Sequence, residues 1–192
     1  VDKVEEAYFV IWTTTPWTIP SNVAVCIHEE IEYIFVRGDN DHFIIAKDLL
    51  DECSDRWGIE LEILGSVLGK EINEITMAHP LYKRESKLLH GDHVTTESGT
   101  GCVHTAPAHG LDDYFICIKN GLESVKALDN RGIFKEEYGP LSGLSTKKGD
   151  PIVIELLQDN NALLAHQQYD HSYPHCWRHK SPVIFMSTPQ WF

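Results

Sequence analysis

The sequence lacks a membrane-length apolar run: nothing in its 192 residues approaches the roughly 18 to 20 apolar residues that a spanning helix needs. It also opens without the basic and then apolar stretch of a secretory leader. Paired-cysteine motifs are missing. The five cysteines, Cys26, Cys53, Cys102, Cys117 and Cys176, are odd in number and scattered, which suits reduced thiols better than a disulfide framework. A cytoplasmic location, with no membrane partner, is expected. Cations are scarce, 16 Lys+Arg against 29 Asp+Glu for a formal charge of −13, whereas a protein that draws its affinity from duplex phosphates is normally basic. This chain alone is therefore not expected to grip nucleic acid strongly. Repeats, low-complexity tracts and Ser/Gly linkers are absent, so a single domain over 1–192 is expected.

What is present is the composition of a globular protein, 42% hydrophobic and 23% charged, long enough to bury a real core. Short β-branched or aromatic runs fill the first half: Tyr8 to Trp12, Val23 to Ile27, Tyr33 to Val36 and Phe43 to Ala46. Pro, Asn, Asp and Gly separate them, the pattern of strands in a barrel or sandwich rather than an alternating parallel sheet. Helical spacing predicts three helices. Ala46, Leu49, Leu50, Cys53 and Trp57 stop at Gly58; Leu111, Tyr114, Phe115 and Ile118 end at Asn120-Gly121; a third opens with Asp150 as N-cap and Pro151 in the first turn, with Val153, Leu156 and Leu157 on one face. The fold class expected is α+β, mainly β, a β-barrel core covered by these helices. Between Lys119 and Gly149, repeated Gly and Pro predict loops and short strands.

Two segments do not read as ordinary core. Thr13-Thr14-Thr15-Pro16-Trp17-Thr18-Ile19-Pro20-Ser21-Asn22 follows a strand. Three successive threonines cannot all face one side of a strand, and Pro16 removes a backbone donor. The segment should leave the sheet as a rigid, hydroxyl-lined corner. The second runs from Gly99 to Asp113. Gly99 and Gly101 let backbone approach a flat ligand or take positive φ, Cys102 to Ala106 can be a short strand, and Pro107 ends it. Asp112 and Asp113 then fall in a first helical turn, where the helix dipole stabilises carboxylates. One cap needs only one acid. A second carboxylate facing a cleft is suited to accept hydrogen bonds from an ammonium group.

Together, Thr13-Thr14-Thr15-Pro16-Trp17-Thr18 with Asn22, and Gly99-Thr100-Gly101-Cys102-Val103-His104-Thr105-Ala106-Pro107-Ala108-His109-Gly110-Leu111-Asp112-Asp113, closely resemble the connective-peptide editing domain of isoleucyl-tRNA synthetase. The valyl and leucyl sister domains are similar, but there an Arg usually follows the first two threonines and the His-Thr-Ala-Pro run is normally absent. Thr15 and His104 therefore favour the isoleucine member. Tyr173 to Phe192 resembles the segment, roughly 172–192, that returns towards the synthetic core. Its His175 to His179 stretch, without a paired-cysteine knuckle, resembles the bacterial branch. The first residue, Val1, and the closing Pro189-Gln190-Trp191-Phe192 fit a piece of a longer class I aminoacyl-tRNA synthetase.

The resemblance implies hydrolysis of the ester between misattached valine and the terminal adenosine of isoleucine tRNA. Its partners would be that 3′ end and the remainder of the synthetase chain. At matching positions, Asp113 would bind the α-ammonium, and Thr13, Thr14 and Thr15 would hold the ester and the attacking water. Thr18 and Asn22 would support that corner at the substrate. Trp17 and His104 would wall the side-chain pocket, His104 excluding isoleucine, and Gly99 and Gly101 would let the adenosine lie against backbone. No cofactor is implied in this domain, ATP and magnesium being expected only in the rest of the parent enzyme. With no HExxH and no assignable nucleophile–base pair, direct water attack aided by positioning is the expected chemistry, the substrate's ribose hydroxyl being a candidate base. The role of His109 stays open.

Three other readings compete. His166, His171, His175, Cys176 and His179 crowd one stretch, and Cys176 to His179 has ligand-like spacing, so a structural zinc module is one. A cysteine hydrolase built on Cys102 and His104 is a second, though no orienting acid accompanies them. A non-catalytic insertion that binds the tRNA end is the third.

Overall fold

In the computed structural model, residues 6–168, 172–188 and 190 are described. Val1, His171, Pro189, Trp191 and Phe192, used in the readings above, lie outside them. The chain falls into two compact units: the first holds residues up to Thr13, Ala24–His79 and Lys83–Thr105, and the second holds Thr14–Val23, Pro80–Tyr82 and Ala106 onward. Both motif strings cross this division, one after Thr13 and the other after Thr105.

The eight strands among the described residues belong to the first unit. They are β1 (Tyr8–Phe9), β2 (Ala24–Ile27), β3 (Glu32–Gly38), β4 (Asp41–Ala46), β5 (Glu62–Leu68), β6 (Thr76–Ala78), β7 (Glu85–His90) and β8 (Val103–Thr105). The α+β class holds, but the closed barrel does not. Among the described residues the strands form two open four-stranded sheets, ordered β1-β4-β3-β5 and β6-β7-β2-β8. Each is mixed, because β1 runs parallel to β4 and β2 parallel to β7 while the other pairs are antiparallel. The runs betray strand character but not partners, so pairing across long loops was invisible in them. Val25 and Ile27 from one sheet and Ile34, Val36, Phe43 and Ile45 from the other join one buried cluster. That burial stabilises both sheets together.

Helix α1 (Leu50–Trp57) follows a 3₁₀ turn over Lys47–Leu49 and ends where expected, at Gly58 with φ 69°. A left-handed residue there closes the helix without a Cβ penalty. Sequence reading missed β5: most of its residues are exposed and Gly65-Ser66 interrupts its apolar run, so neither alternation nor a continuous apolar block marks it.

The second unit is helical and irregular. It contains the 3₁₀ segment Pro16–Ser21, α2 (Leu111–Lys119), the 3₁₀ segment Glu136–Leu141 and α3 (Thr146–Asp159). Leu128 bridges Phe134 and Ile133 bridges Ser145, the short pairings expected between Lys119 and Gly149. Trp17, Ile19, Leu128, Phe134, Leu141, Val153 and Leu157 form its core. Two expectations need correction. Helix α3 starts a turn earlier than Asp150, capped at Ser145, because its first turn carries no apolar residue to announce it; Asp150 lies inside it. Helix α2 does not cover a core with its apolar stripe: Leu111, Phe115 and Ile118 are 71%, 61% and 56% exposed, while Cys117 is the buried member. No described helix is long and apolar enough to cross a membrane.

Two glycines separate backbone conformation from packing. Gly101 has φ 74°, and a Cβ there would lie 2.3 Å from the Ala46 Cβ; Gly121 has φ 67° with open space around it. Gly121→Ala should cost about 1 to 2 kcal/mol for the left-handed backbone. Gly101→Ala should cost roughly 1 to 3 kcal/mol more for overpacking. Urea denaturation of both variants checks this; equal losses would mean that the contact with Ala46 relaxes freely.

Candidate functional site

The corner that follows β1 is built by its own prolines and threonines. Pro16 occupies the first position of the 3₁₀ segment, where its missing N–H is not needed. The Thr15 carbonyl accepts from the Thr18 backbone N–H at 3.0 Å and from the Thr18 hydroxyl at 2.8 Å. Asn22 closes the segment by donating its N–H to the Ile19 carbonyl at 2.9 Å. Trp17 to Asn22 are buried; Thr13, Thr14 and Thr15 are half-buried. Thr18 is thus committed to shaping the turn, and the Trp17 side chain sits in the second unit's core. The Trp17 backbone N–H donates to the Asp150 carboxylate at 2.9 Å, across 133 positions of sequence.

The acidic turn is equally local in origin. The Ala106 carbonyl accepts from the N–H groups of His109 (2.9 Å) and Gly110 (3.2 Å). Asp113 folds back so that its Oδ2 accepts from the Ala106 N–H at 2.8 Å. Gly110 makes room for this: a Cβ there would lie 2.6 Å from that same oxygen. Asp112 is exposed. Of the two acids, Asp113 is the one drawn into the turn. A carboxylate has two oxygens with about four acceptor sites, and the bond to Ala106 orients the group.

Corner and turn meet inside the second unit. The Trp17 ring meets the His109 ring edge-on at 4.8 Å between centroids, and Ser21 Oγ lies 3.0 Å from His109 Nε2. His109 Nδ1 lies 3.0 Å from the Phe185 carbonyl, and the Ser187 N–H donates to the Ala108 carbonyl at 2.8 Å. Burial pushes the His109 pKa below its usual value, against a smaller opposing effect of the Phe185 bond.

Thr13, Gly99, Gly101 and His104 belong to the first unit. Gly99 and Gly101 take positive φ, 87° and 74°, and are buried. The Gly101 carbonyl accepts from the Tyr33 hydroxyl at 2.7 Å, and the intervening Thr100 carbonyl accepts from the Ala46 N–H at 2.8 Å. Packing against β4 therefore accounts for Gly101. His104 stands mid-strand in β8 opposite Val25, half-buried.

The hydrolase built on a thiol loses its nucleophile: Cys102 is 3% exposed, and burial pushes its pKa up, away from the thiolate that such chemistry needs. Cys176 Sγ and His179 Nδ1 come within 3.4 Å. Among the described residues no three potential ligands gather.

No protein-family model matches the chain. Curated relatives do: the isoleucine–tRNA ligase of Legionella pneumophila is 46% identical over 183 residues, covering 95% of this chain, and that of Pasteurella multocida is 47% identical over 184. The ligase of Caldanaerobacter subterraneus is 42% identical over 193 residues, covering the whole chain. The chain is homologous to a segment of bacterial isoleucine–tRNA ligase. It spans about a fifth of those ligases' length, 20% and 21%. Among solved structures, GlLeuRS-CP1 superposes with a TM-score of 0.68 at 16% identity, covering 85% of both chains. The cytosolic leucyl-tRNA synthetase editing domain of P. knowlesi gives 0.64 at 13%, covering 80% of this chain and 82% of that one. The ligase segment thus has the editing-domain fold.

Sequence reasoning missed two residues of this frame, Asp150 and Ser21. Asp150 was read as a cap of its own helix; its role as acceptor for Trp17 has no local signature. Burial raises the Asp150 pKa above the usual carboxylate value, the Trp17 bond opposing it. The folded chain therefore binds this proton more tightly than the unfolded chain, so stability falls as pH rises from the ordinary carboxylate pKa through the raised one. In this ligase segment, Asp150→Asn keeps an acceptor and should lose that pH-dependent decline. Asp150→Ala strands the Trp17 N–H and should cost about 1 to 3 kcal/mol. Chemical denaturation between pH 4 and 8 distinguishes them, and parallel curves for wild type and Asp150→Asn would refute the assignment.

Proposed function

We propose that this chain is the post-transfer editing module of an isoleucine–tRNA ligase, hydrolysing the ester of valine misattached to isoleucine tRNA by attack of water. The observation that carries the reading is the Asp113 turn. A carboxylate oriented in the first turn of a helix is held, through His109, against a threonine-rich corner within one unit, in a chain 42–47% identical to isoleucine–tRNA ligases.

Asp113 anchors the α-ammonium of the aminoacyl ester, a charge-assisted bond that orients the carbonyl. The hydroxyls of Thr13, Thr14 and Thr15 hold the ester and the attacking water, and stabilise the developing oxyanion. Thr18 and Asn22 set the shape of that corner. By the resemblance, His104 reads the side chain as the element that excludes isoleucine. The ribose hydroxyl beside the ester is a candidate to take the proton of the attacking water while passing its own to the leaving ester oxygen. The need for such a site is physical: a synthetic pocket that admits isoleucine gains only about 1 to 3 kcal/mol against valine from one methylene, a magnitude for which this ligase is itself the standard example. A second pocket inverts the selection by size. The formal charge of −13 fits a module that takes only the single-stranded tRNA end while the remaining synthetase supplies phosphate contacts.

Asp113→Asn retains an oxygen acceptor for Ala106 and removes the negative charge. It should keep the melting transition and lose about 10- to 150-fold in deacylation of Val-tRNA, the value of a hydrogen bond to a charged group. Retained activity in the full-length ligase would eliminate Asp113 as the anchor. His104→Ala should begin to hydrolyse correctly charged Ile-tRNA; unchanged discrimination in the same assay would exclude it as the sieve.

A further inference from the structure

The hydrogen-bond directions around His109 are all met by one neutral tautomer. The Phe185 carbonyl can only accept, so His109 Nδ1, 3.0 Å away, carries a proton. The Ala127 backbone N–H can only donate, and it does so to Ser21 Oγ at 3.3 Å. The Ser21 hydroxyl keeps its proton for His109 Nε2, 3.0 Å away, when that nitrogen is unprotonated. All three bonds are satisfied together by the neutral imidazole protonated on Nδ1. A proton on Nε2 would turn the Ser21 contact round and leave the hydroxyl hydrogen, beside buried Ala127, without this acceptor. The lowered pKa that burial gives His109 is consistent with this.

We propose that His109 is a positioning residue: a neutral latch that fixes the threonine corner to the Asp113 turn, with both ring nitrogens engaged and neither available to deprotonate water. The inference rests on the editing function proposed above and assigns its least obvious histidine. The placement explains the reach of the effect. Ser21 is the last residue of the 3₁₀ corner, and His109 immediately precedes Gly110, over which the Asp113 carboxylate folds. The Trp17 ring closes the same junction edge-on. A general base needs a lone pair within reach of the water it activates. Here the lone pair on Nε2 is taken by Ser21, and Nδ1 has none to give.

The latch acts on geometry and not on proton transfer, which separates its consequences from those of a base. In the full-length ligase, His109→Ala should lower kcat for Val-tRNA deacylation by about 10- to 100-fold with KM nearly unchanged, the scale of an ångström-sized misplacement. His109→Gln, whose amide offers one donor and one acceptor at similar separation, should recover most of that loss. A base would not be rescued by glutamine. Ser21→Ala combined with His109→Ala should lose less than the product of the two single losses, because both break the Ser21–His109 link, and only Ser21→Ala also removes the acceptor of the Ala127 N–H. Independently of activity, ¹⁵N-resolved NMR of histidine-labelled protein should show His109 neutral with the proton on Nδ1 at pH 7. An imidazolium, an Nε2–H tautomer, a glutamine variant as slow as alanine, or additive losses in the double variant would each overturn the latch. Absence of Val-tRNA hydrolysis by the wild-type ligase would instead refute the editing function, and the tautomer measurement would still decide the state of His109. Should His109→Ala fail to fold, the glutamine and Ser21→Ala variants carry the same test.

Discussion

Backbone donors that leave a sheet must find new acceptors, and in the second unit of this chain two carboxylates supply them. Trp17 N–H goes to Asp150 and Ala106 N–H goes to Asp113. Both donors lie shortly after a point where the chain changes units. An unpaired buried N–H costs about 1 to 3 kcal/mol, so each acid is held by a structural requirement before any chemistry is asked of it. The threonine corner and the acidic turn inherit their rigidity from these two bonds, and the Ser21–His109 contact joins them.

This arrangement places a charged group under two constraints at once. Asp113 must satisfy Ala106, which fixes its rotamer, and Gly110 must remain glycine to leave it room. A side chain whose orientation is set by a second bond loses little entropy when it meets a cation, which is how a short motif can present an anchor with useful geometry. Gly101 illustrates the opposite outcome. Its absent side chain is explained by Ala46 packing beside it, so a glycine within a functional motif need not itself face a ligand.

Most of what was legible in the sequence was local. Gly58 and the Asn120-Gly121 pair marked helix ends because left-handed or capping residues act on their own turn. Pro16 and the threonines announced a departure from the sheet for the same reason. Pairing was not legible: β2 lies between β7 and β8, a choice made by burial across some tens of residues, so the strand runs suggested a barrel where two open sheets form. The partner of Asp150 was hidden likewise, since a Pro after an Asp imitates a cap and nothing near it names Trp17. The stripe Leu111, Tyr114, Phe115 and Ile118 gave a correct helix and an incorrect burial. Periodicity reports that a face is apolar, not what covers it.

The acidity of the chain and the proposed chemistry bear on each other through affinity. A module with an excess of carboxylates gains little from phosphate neutralisation, so the energy that distinguishes substrates must come from the aminoacyl end. On the proposed chemistry the available terms there are few: one ammonium for Asp113 to meet, a set of hydroxyls, and the volume allowed to the side chain. Only the last differs between valine and isoleucine, and volume acts by exclusion, which needs no tight binding of the smaller group. Weak affinity is then no handicap to selection, provided that the walls do not yield. A corner held by the Trp17, Thr18 and Asn22 N–H groups and by both nitrogens of His109 is suited to resist widening, because any widening would break several hydrogen bonds together.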